Sequence, residues 1–223
     1  MQKVRTALIA GASGLVGGHC LNLLLQSDRY SQVISIGRHD LPLIHPKLEQ
    51  RVVAFNKLKA SSSILVADDV FCCLGTTIKK AGSKEAFYKV DHTYVVELAN
   101  ITAQKGAAQF LVVSAMGADA GSMIFYNKVK GEMERDVQQQ GFDAVHIFRP
   151  SLLLGDREEK RSGEELASKI MKPLSNLMVG PLKNYKPIEA ETVAKAMVYA
   201  AAQNQKGVHI HSSDEIATLG SKL

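Results

Sequence analysis

No apolar run in this chain approaches the roughly 20 residues that a membrane span requires, so no transmembrane segment is expected. No charged leader with an apolar core precedes residues 4–10, which read as a short strand entering a glycine turn, and the expected compartment is cytoplasmic. Cysteine is scarce. Cys20, Cys72 and Cys73 are an odd number without metal-ligand spacing, all inside apolar stretches, which excludes a disulfide framework and a zinc site and predicts buried free thiols. The chain lacks any Lys/Arg block or basic stripe interleaved with aromatics, so nucleic acid is not an expected partner. The net charge of +5 is modest, and an anionic ligand accounts for part of it. Internal repeats and low-complexity segments are absent too. What remains is one soluble globular domain over residues 1–223, with a hydrophobic share of 46% and a charged share of 22%.

The stretch that organises this domain is Ala7 to Leu25. An apolar run stops at a glycine, Gly11, Gly14 and Gly17 follow at spacings of three, and helical apolar spacing resumes at Leu15, Val16, Leu21, Leu24 and Leu25. Strand, tight turn and helix in that order suit phosphate binding. Gly11 lets the chain reverse, Gly14 admits a pyrophosphate close to the backbone, and Gly17 lets the helix lie near the sheet. The free N–H groups and positive end of that helix face the anion, so Gly11, Ala12, Ser13, Gly14, Leu15, Val16 and Gly17 are candidate dinucleotide-binding residues. A second strand, Gln32 to Ile36, runs into Arg38, which lies 21 residues after Gly17. An acidic residue there would take a ribose 2′-hydroxyl, whereas arginine accommodates a 2′-phosphate, so NADP(H) is the expected cofactor.

Further strands are expected at Arg51–Phe55, Asp69–Leu74, Ala108–Val113 and Ala144–Phe148, with the longest helix from Ser83 to about Gln104 and another from Phe125 to Gln140. Strands this apolar, alternating with helices, predict an α/β fold, a doubly wound parallel sheet of Rossmann type. The small residues after the fourth strand, Leu74, Gly75, Thr76 and Thr77, fall at a strand's carboxyl end, where such sheets bind ligands.

Tyr126 and Lys130 stand four apart at a helix start and so share a face. A neighbouring ammonium favours phenolate and draws a tyrosine, ordinarily titrating near ~10, towards the range useful for proton transfer. Lys128 is offset by two residues and turns away. Ser114, at the tip of the preceding strand, supplies a hydroxyl for a substrate oxygen. Ser114, Tyr126 and Lys130 are the candidate catalytic residues.

These motifs resemble the short-chain dehydrogenase/reductase superfamily. Cys73–Thr77, Lys80–Gly82, Val90–Asp91, Ser114 to Asp119, Lys128–Glu132 and Phe148–Pro150 with Gly155–Arg157 are similar to its atypical members over nearly the whole chain. The resemblance implies Tyr126 as proton donor or acceptor, Lys130 on the nicotinamide ribose, and Ser114 orienting a carbonyl. It also implies that Arg149 and Pro150 line the cleft of nicotinamide and substrate. Two departures stand out: Ala115 occupies a position that carries a second hydroxyl in many relatives, and Asp91 one that carries asparagine.

Residues 151–187 read as a small cap on the substrate side, and 191–202 as a helix followed by a strand at Gly207–His211. His209 and His211 share a strand face and are read as surface residues rather than metal ligands. The terminal Ser221-Lys222-Leu223 matches a peroxisomal address, but three residues are too few to adopt it. The leading function is NADPH-dependent reduction of a carbonyl on a small organic substrate. The alternative is a cofactor-binding regulatory module acting through a protein partner or a second copy.

Overall fold

A computed structural model describes residues 4–155 and 186–223. Its centre is a seven-stranded sheet in the order β3-β2-β1-β4-β5-β6-β9. The strands are β1 (Arg5–Ala10), β2 (Tyr30–Gly37), β3 (Leu48–Val52), β4 (Asp69–Cys72), β5 (Gln109–Val113), β6 (Ala144–Phe148) and β9 (Gly207–His211). Every pairing is parallel, as a chain that returns through a helix after most strands requires. Successive side chains point to opposite faces, and both faces are buried. Ile9, Phe71, Leu111 and Phe148 meet the helices α1 (Leu15–Gln26), α6 (Ala190–Gln203) and α7 (Ser213–Gly220). Leu8, Val70, Phe110 and Ile147 meet a 3₁₀ helix at Phe55–Ile64 and the helices α4 (Tyr94–Gln104) and α5 (Phe125–Gln138). The doubly wound α/β sheet expected from the strand–helix alternation is therefore the fold observed.

Local differences have local causes. The third strand, expected over 51–55, occupies Leu48–Val52, because Phe55 turns inward as the first residue of the 3₁₀ helix. The long helix expected from Ser83 is divided into α3 (Lys84–Tyr88), a π-turn at Lys89–Thr93, and α4; a short helix α2 (Ile78–Ala81) precedes it. The π-turn buries Asp91, which an uninterrupted amphipathic pattern would not anticipate. Helix α7 was not anticipated from the sequence, although Ser212 and Glu215 form the capping box that opens it. Of the expected cap at 151–187, residues 156–185 lie outside the described residues. Its two margins pair as a short ribbon, β7 (Leu153–Leu154) with β8 (Ile188–Glu189).

At the amino-terminal edge of the sheet a fully buried carboxylate, Asp69, gathers four residues. It accepts from Arg5 Nη2 at 2.6 Å, Arg5 Nε at 2.9 Å, Tyr30 Oη at 2.9 Å, Gln109 Nε2 at 2.9 Å and Arg29 at 3.3 Å. Burial, and then the carboxylate, raise the Tyr30 phenol well above its usual range, so it stays a donor. The starts of β1, β2, β4 and β5 are thereby tied to one point.

Beside the edge strand, His209 and His211 are not the isolated surface residues expected. They stack with the fully buried His146, at ring separations of 4.8 and 5.5 Å, and His146 Nδ1 lies 3.2 Å from His211 Nε2. Burial, then the neighbouring His211 and His209, push His146 down to about 3. Among the described residues no three His, Cys, Asp or Glu side chains form a group able to hold a metal ion.

Candidate active site

Strand β1 ends beside β4, and this is where the order of the strands reverses direction across the sheet. Gly11 follows with φ of 85°, and a Cβ there would lie 2.6 Å from the Cys73 carbonyl oxygen. At Gly17 a Cβ would lie 2.1 Å from the Gly11 carbonyl oxygen, so the helix packs against the turn through bare backbone. Gly14 is exposed and donates its N–H to Gly11 at 2.9 Å. Helix α1 begins without a side-chain cap and without an acidic residue in its first turn. Its positive end is therefore unopposed from within the turn. Of the remaining turn residues Ser13 is exposed, Ala12 and Val16 are buried in the core, and Leu15 is half-buried against the Gly155 backbone. Arg38 stands exposed just beyond β2, next to this turn, with no side-chain partner among the described residues.

On the other side, the turn after β4 meets helix α5. Lys130 is only 4% exposed and places its ammonium 2.8 Å from Asp91 Oδ1, while Asp91 Oδ2 accepts the Thr76 N–H at 2.8 Å. A Cβ on Gly75 would lie 3.4 Å from Asp91 Oδ1 and 3.9 Å from Lys130 Nζ, so the exposed glycine borders both charges. Burial acts to lower the Lys130 ammonium, but Asp91 outweighs it and holds the group above its usual value. Tyr126, one turn earlier on the same face, is half-buried and packs its ring 5.5 Å from Phe87. Leu74 is half-buried against the core, and Thr77 caps α2 by accepting the Lys80 N–H at 3.0 Å.

Ser114 and Arg149 belong to a different cluster. The Ser114 hydroxyl donates to Glu134, and Arg149 grips the same carboxylate through Nε at 3.0 Å and Nη2 at 2.5 Å. Ser114 and Glu134 are buried at 5% and 2% exposure, and the pairing holds the Arg149 guanidinium above its ordinary value. A polar cavity of about 440 Å³ opens beside Arg149, with Asp119, Arg135 and Gln138 on its wall. Pro150 is buried, and its carbonyl accepts the Met116 N–H at 3.0 Å. The structure thus brings Tyr126, Lys130, Gly75 and Thr76 together, and ties Ser114 and Arg149 to each other through Glu134 instead. Neither Glu134 nor the pairing of Asp91 was read from the sequence. Glu134 did carry a signal, lying four residues beyond Lys130 on the same stripe of α5.

No known protein-family model matches the chain. Protein HTATIP2 of Rattus norvegicus is 40% identical over 169 residues, covering 74% of this chain and 69% of its own length. The chain belongs to the HTATIP2/FMP52 family of atypical short-chain dehydrogenases/reductases. Within this family the mitochondrial protein FMP52 of Kluyveromyces lactis is 34% identical over 97% of this chain and 99% of its own. That of Candida glabrata is 34% identical over 89% and 86%. The mitochondrial relatives overturn the cytoplasmic expectation. That expectation rested on a missing membrane span and an early first strand, and neither property distinguishes one aqueous compartment from another. Among the described residues no helix is long and apolar enough to cross a membrane. Among solved structures, MoeE5 in complex with UDP-glucose and NAD superposes with a TM-score of 0.70 at 15% identity, over 97% of this chain and 81% of that one. The Bordetella bronchiseptica enzyme WbmH in complex with NAD+ gives 0.70 at 16% identity, over 94% and 76%. At that identity the likeness is one of fold, and it places the HTATIP2/FMP52 chain among Rossmann-type proteins.

Proposed function

We propose that this chain is an NADPH-dependent oxidoreductase that reduces a carbonyl of a small organic substrate, with Tyr126 donating the proton. The observation that carries the reading is the juxtaposition of the Tyr126–Lys130 face of α5 with the glycine turn after β4, in a domain whose first helix starts as an uncapped anion site. The residues fit a dinucleotide: Gly11, Gly14 and Gly17 leave a backbone cradle that side chains would fill, and α1 offers an unopposed positive end. Solved neighbours that hold NAD support a nicotinamide dinucleotide, and the exposed Arg38 favours the 2′-phosphate form.

The Gly11–Gly17 turn would hold the diphosphate, Arg38 the 2′-phosphate, and Gly75 to Thr77 the part of the cofactor nearest the sheet's centre. When bound, the nicotinamide supplies the hydride. The chain's own work is then to move a proton at the Tyr126 oxygen and to keep a cation beside it. Lys130 provides that cation, buried and fixed, where a charge interaction loses little to water. Ser114 would orient a carbonyl only by giving up its bond to Glu134.

That last point favours a second reading, a cofactor-binding regulatory module. With Ser114 committed to Glu134 and Ala115 bearing no hydroxyl, the strand end offers little to polarise a carbonyl. A panel of carbonyl compounds tested for NADPH oxidation separates the two. Under the first reading Tyr126→Phe lowers turnover by about 10²–10⁴-fold and leaves NADPH affinity nearly intact. Undiminished turnover removes Tyr126 from the role, and no oxidation by any compound, with a protein captured differently by the oxidised and reduced cofactor forms, supports the second.

A further inference from the structure

The two outer strands of the sheet are treated differently by the sequence. A strand at an edge presents unpaired N–H and C=O groups, which proteins blunt with charged side chains, proline or a covering segment. β3 carries Glu49 and Arg51, whose side chains meet at 2.6 Å, and Gln50 fastens the passing chain by bonds to Leu41 and Leu43. β9 reads Gly-Val-His-Ile-His, without proline, lysine, arginine or an acid. Among the described residues only β6 pairs with it, and Val208 and Ile210 are 48% and 44% exposed. Both lie in register with Val145 and Ile147, so they carry the apolar face under α4 and α5 out to the rim of the sheet. Gly207 donates its N–H to Asp143 at 2.8 Å, and His211 accepts the Arg149 N–H at 2.9 Å. Because a ladder alternates along a strand, Gly207, His209 and His211 bond inward, while Val208 and Ile210 turn their N–H and C=O groups outward.

We propose that β9 pairs antiparallel with β9 of a second copy of this chain, across a two-fold axis at His209, joining two sheets into one. Three registers bring an outward residue opposite another. Centring on Val208 or on Ile210 makes one hydrogen-bonded pair, whereas centring on His209 makes two, Val208 with the second copy's Ile210 and the reverse. The same register sets an apolar side chain beside an apolar one in both pairs. Charge selects the same partner. Lys206, 80% exposed, precedes the strand, and Asp214 and Glu215 follow it on the wall of a cavity of about 220 Å³ at the start of α7. Antiparallel pairing brings each copy's Lys206 opposite Ser212 of the other, next to those two carboxylates. A contact through one short strand per copy is small, so the dimer is weak and assembles with concentration. It requires neither reading of the active site.

Sedimentation of the full chain over a dilution series is the test. The mass is expected to rise from the 24.2 kDa of one chain towards twice that value. Ile210→Lys, which puts a charge opposite the second copy's Val208, is expected to weaken association about tenfold or more. Should that variant fail to fold, Val208→Lys serves in its place. Val52→Lys, at the exposed side chain of the other edge, is expected to change nothing. Lys206→Glu is expected to weaken association and Lys206→Glu with Asp214→Lys to restore it, an exchange that a merely structural role would not reproduce. Amide hydrogen exchange supplies an independent readout: the outward amides of Val208 and Ile210 are expected to gain protection as concentration rises. A single-chain mass at every concentration, an association constant unmoved by Ile210→Lys, or protection gained at β3 instead would overturn the proposal, and no recovery in the charge exchange would overturn the antiparallel register.

Discussion

Asp69 and Asp91 are both buried aspartates, and they lie at opposite ends of the sheet. Asp69, at the amino-terminal edge, is surrounded by two arginines, a phenol and a carboxamide, all belonging to the starts of strands or the residue before one. Asp91, at the carboxyl end, holds one ammonium and one backbone N–H beside an exposed glycine. The first arrangement saturates its carboxylate with structural partners and leaves nothing to react. The second fixes a charge at the border of a crevice. Open parallel sheets bind ligands in the crevice outside the carboxyl ends of their strands, where the strand order reverses, and Asp91 lies at that end while Asp69 lies at the other.

The contrast is broken most forcefully at the amino-terminal edge. Asp69→Asn removes the counter-charge of Arg5 and Arg29, a loss expected to cost about 3 kcal/mol and to lower Tm by roughly 6–12 °C for a chain of this size. NADPH affinity measured well below the new Tm should be unchanged, and a large loss of affinity would mean that the two ends are coupled. At the opposite end, Arg38→Ala should weaken NADPH about 10–100-fold, as expected for one charge-assisted contact, with little change for NADH and none in Tm. Equal effects on both nucleotides would remove the 2′-phosphate assignment. A pH-dependent effect concerns His146, whose folded value near 3 lies below the unfolded 6.5. A group depressed in this way favours the folded state fully above pH 6.5, and that contribution is lost progressively as pH falls towards 3. Thermal unfolding between pH 7 and 4 should therefore show falling Tm, with a shallower slope in His146→Leu, and identical slopes would rule His146 out as the cause.

The features legible in the sequence were those that depend on short spacings. The Gly11–Gly14–Gly17 turn and the Tyr126–Lys130 pair lie within a few residues, so strand and helix periodicity sufficed to place them. What escaped was set by distant partners. Ser114 and Arg149 meet Glu134 from 20 and 15 residues away in sequence, and no local pattern reveals which hydroxyl or guanidinium a buried glutamate will take. The π-turn around Asp91 escaped for another reason. It disturbs the helical period by a single residue, less than amphipathic patterning can resolve. Helix α7 had a readable signal in Ser212 and Glu215, and its eight residues are too short for an apolar period to draw notice.

The ribbon of Leu153–Leu154 with Ile188–Glu189 fastens the two margins of residues 156–185 to each other. Because its ends are already joined, that stretch can lengthen or shorten at a closure entropy that rises only by ~0.6 kcal/mol for each doubling. Evolution is thereby handed an interchangeable insert on an unchanged frame, and differences in length among members of the family should concentrate between those two short strands.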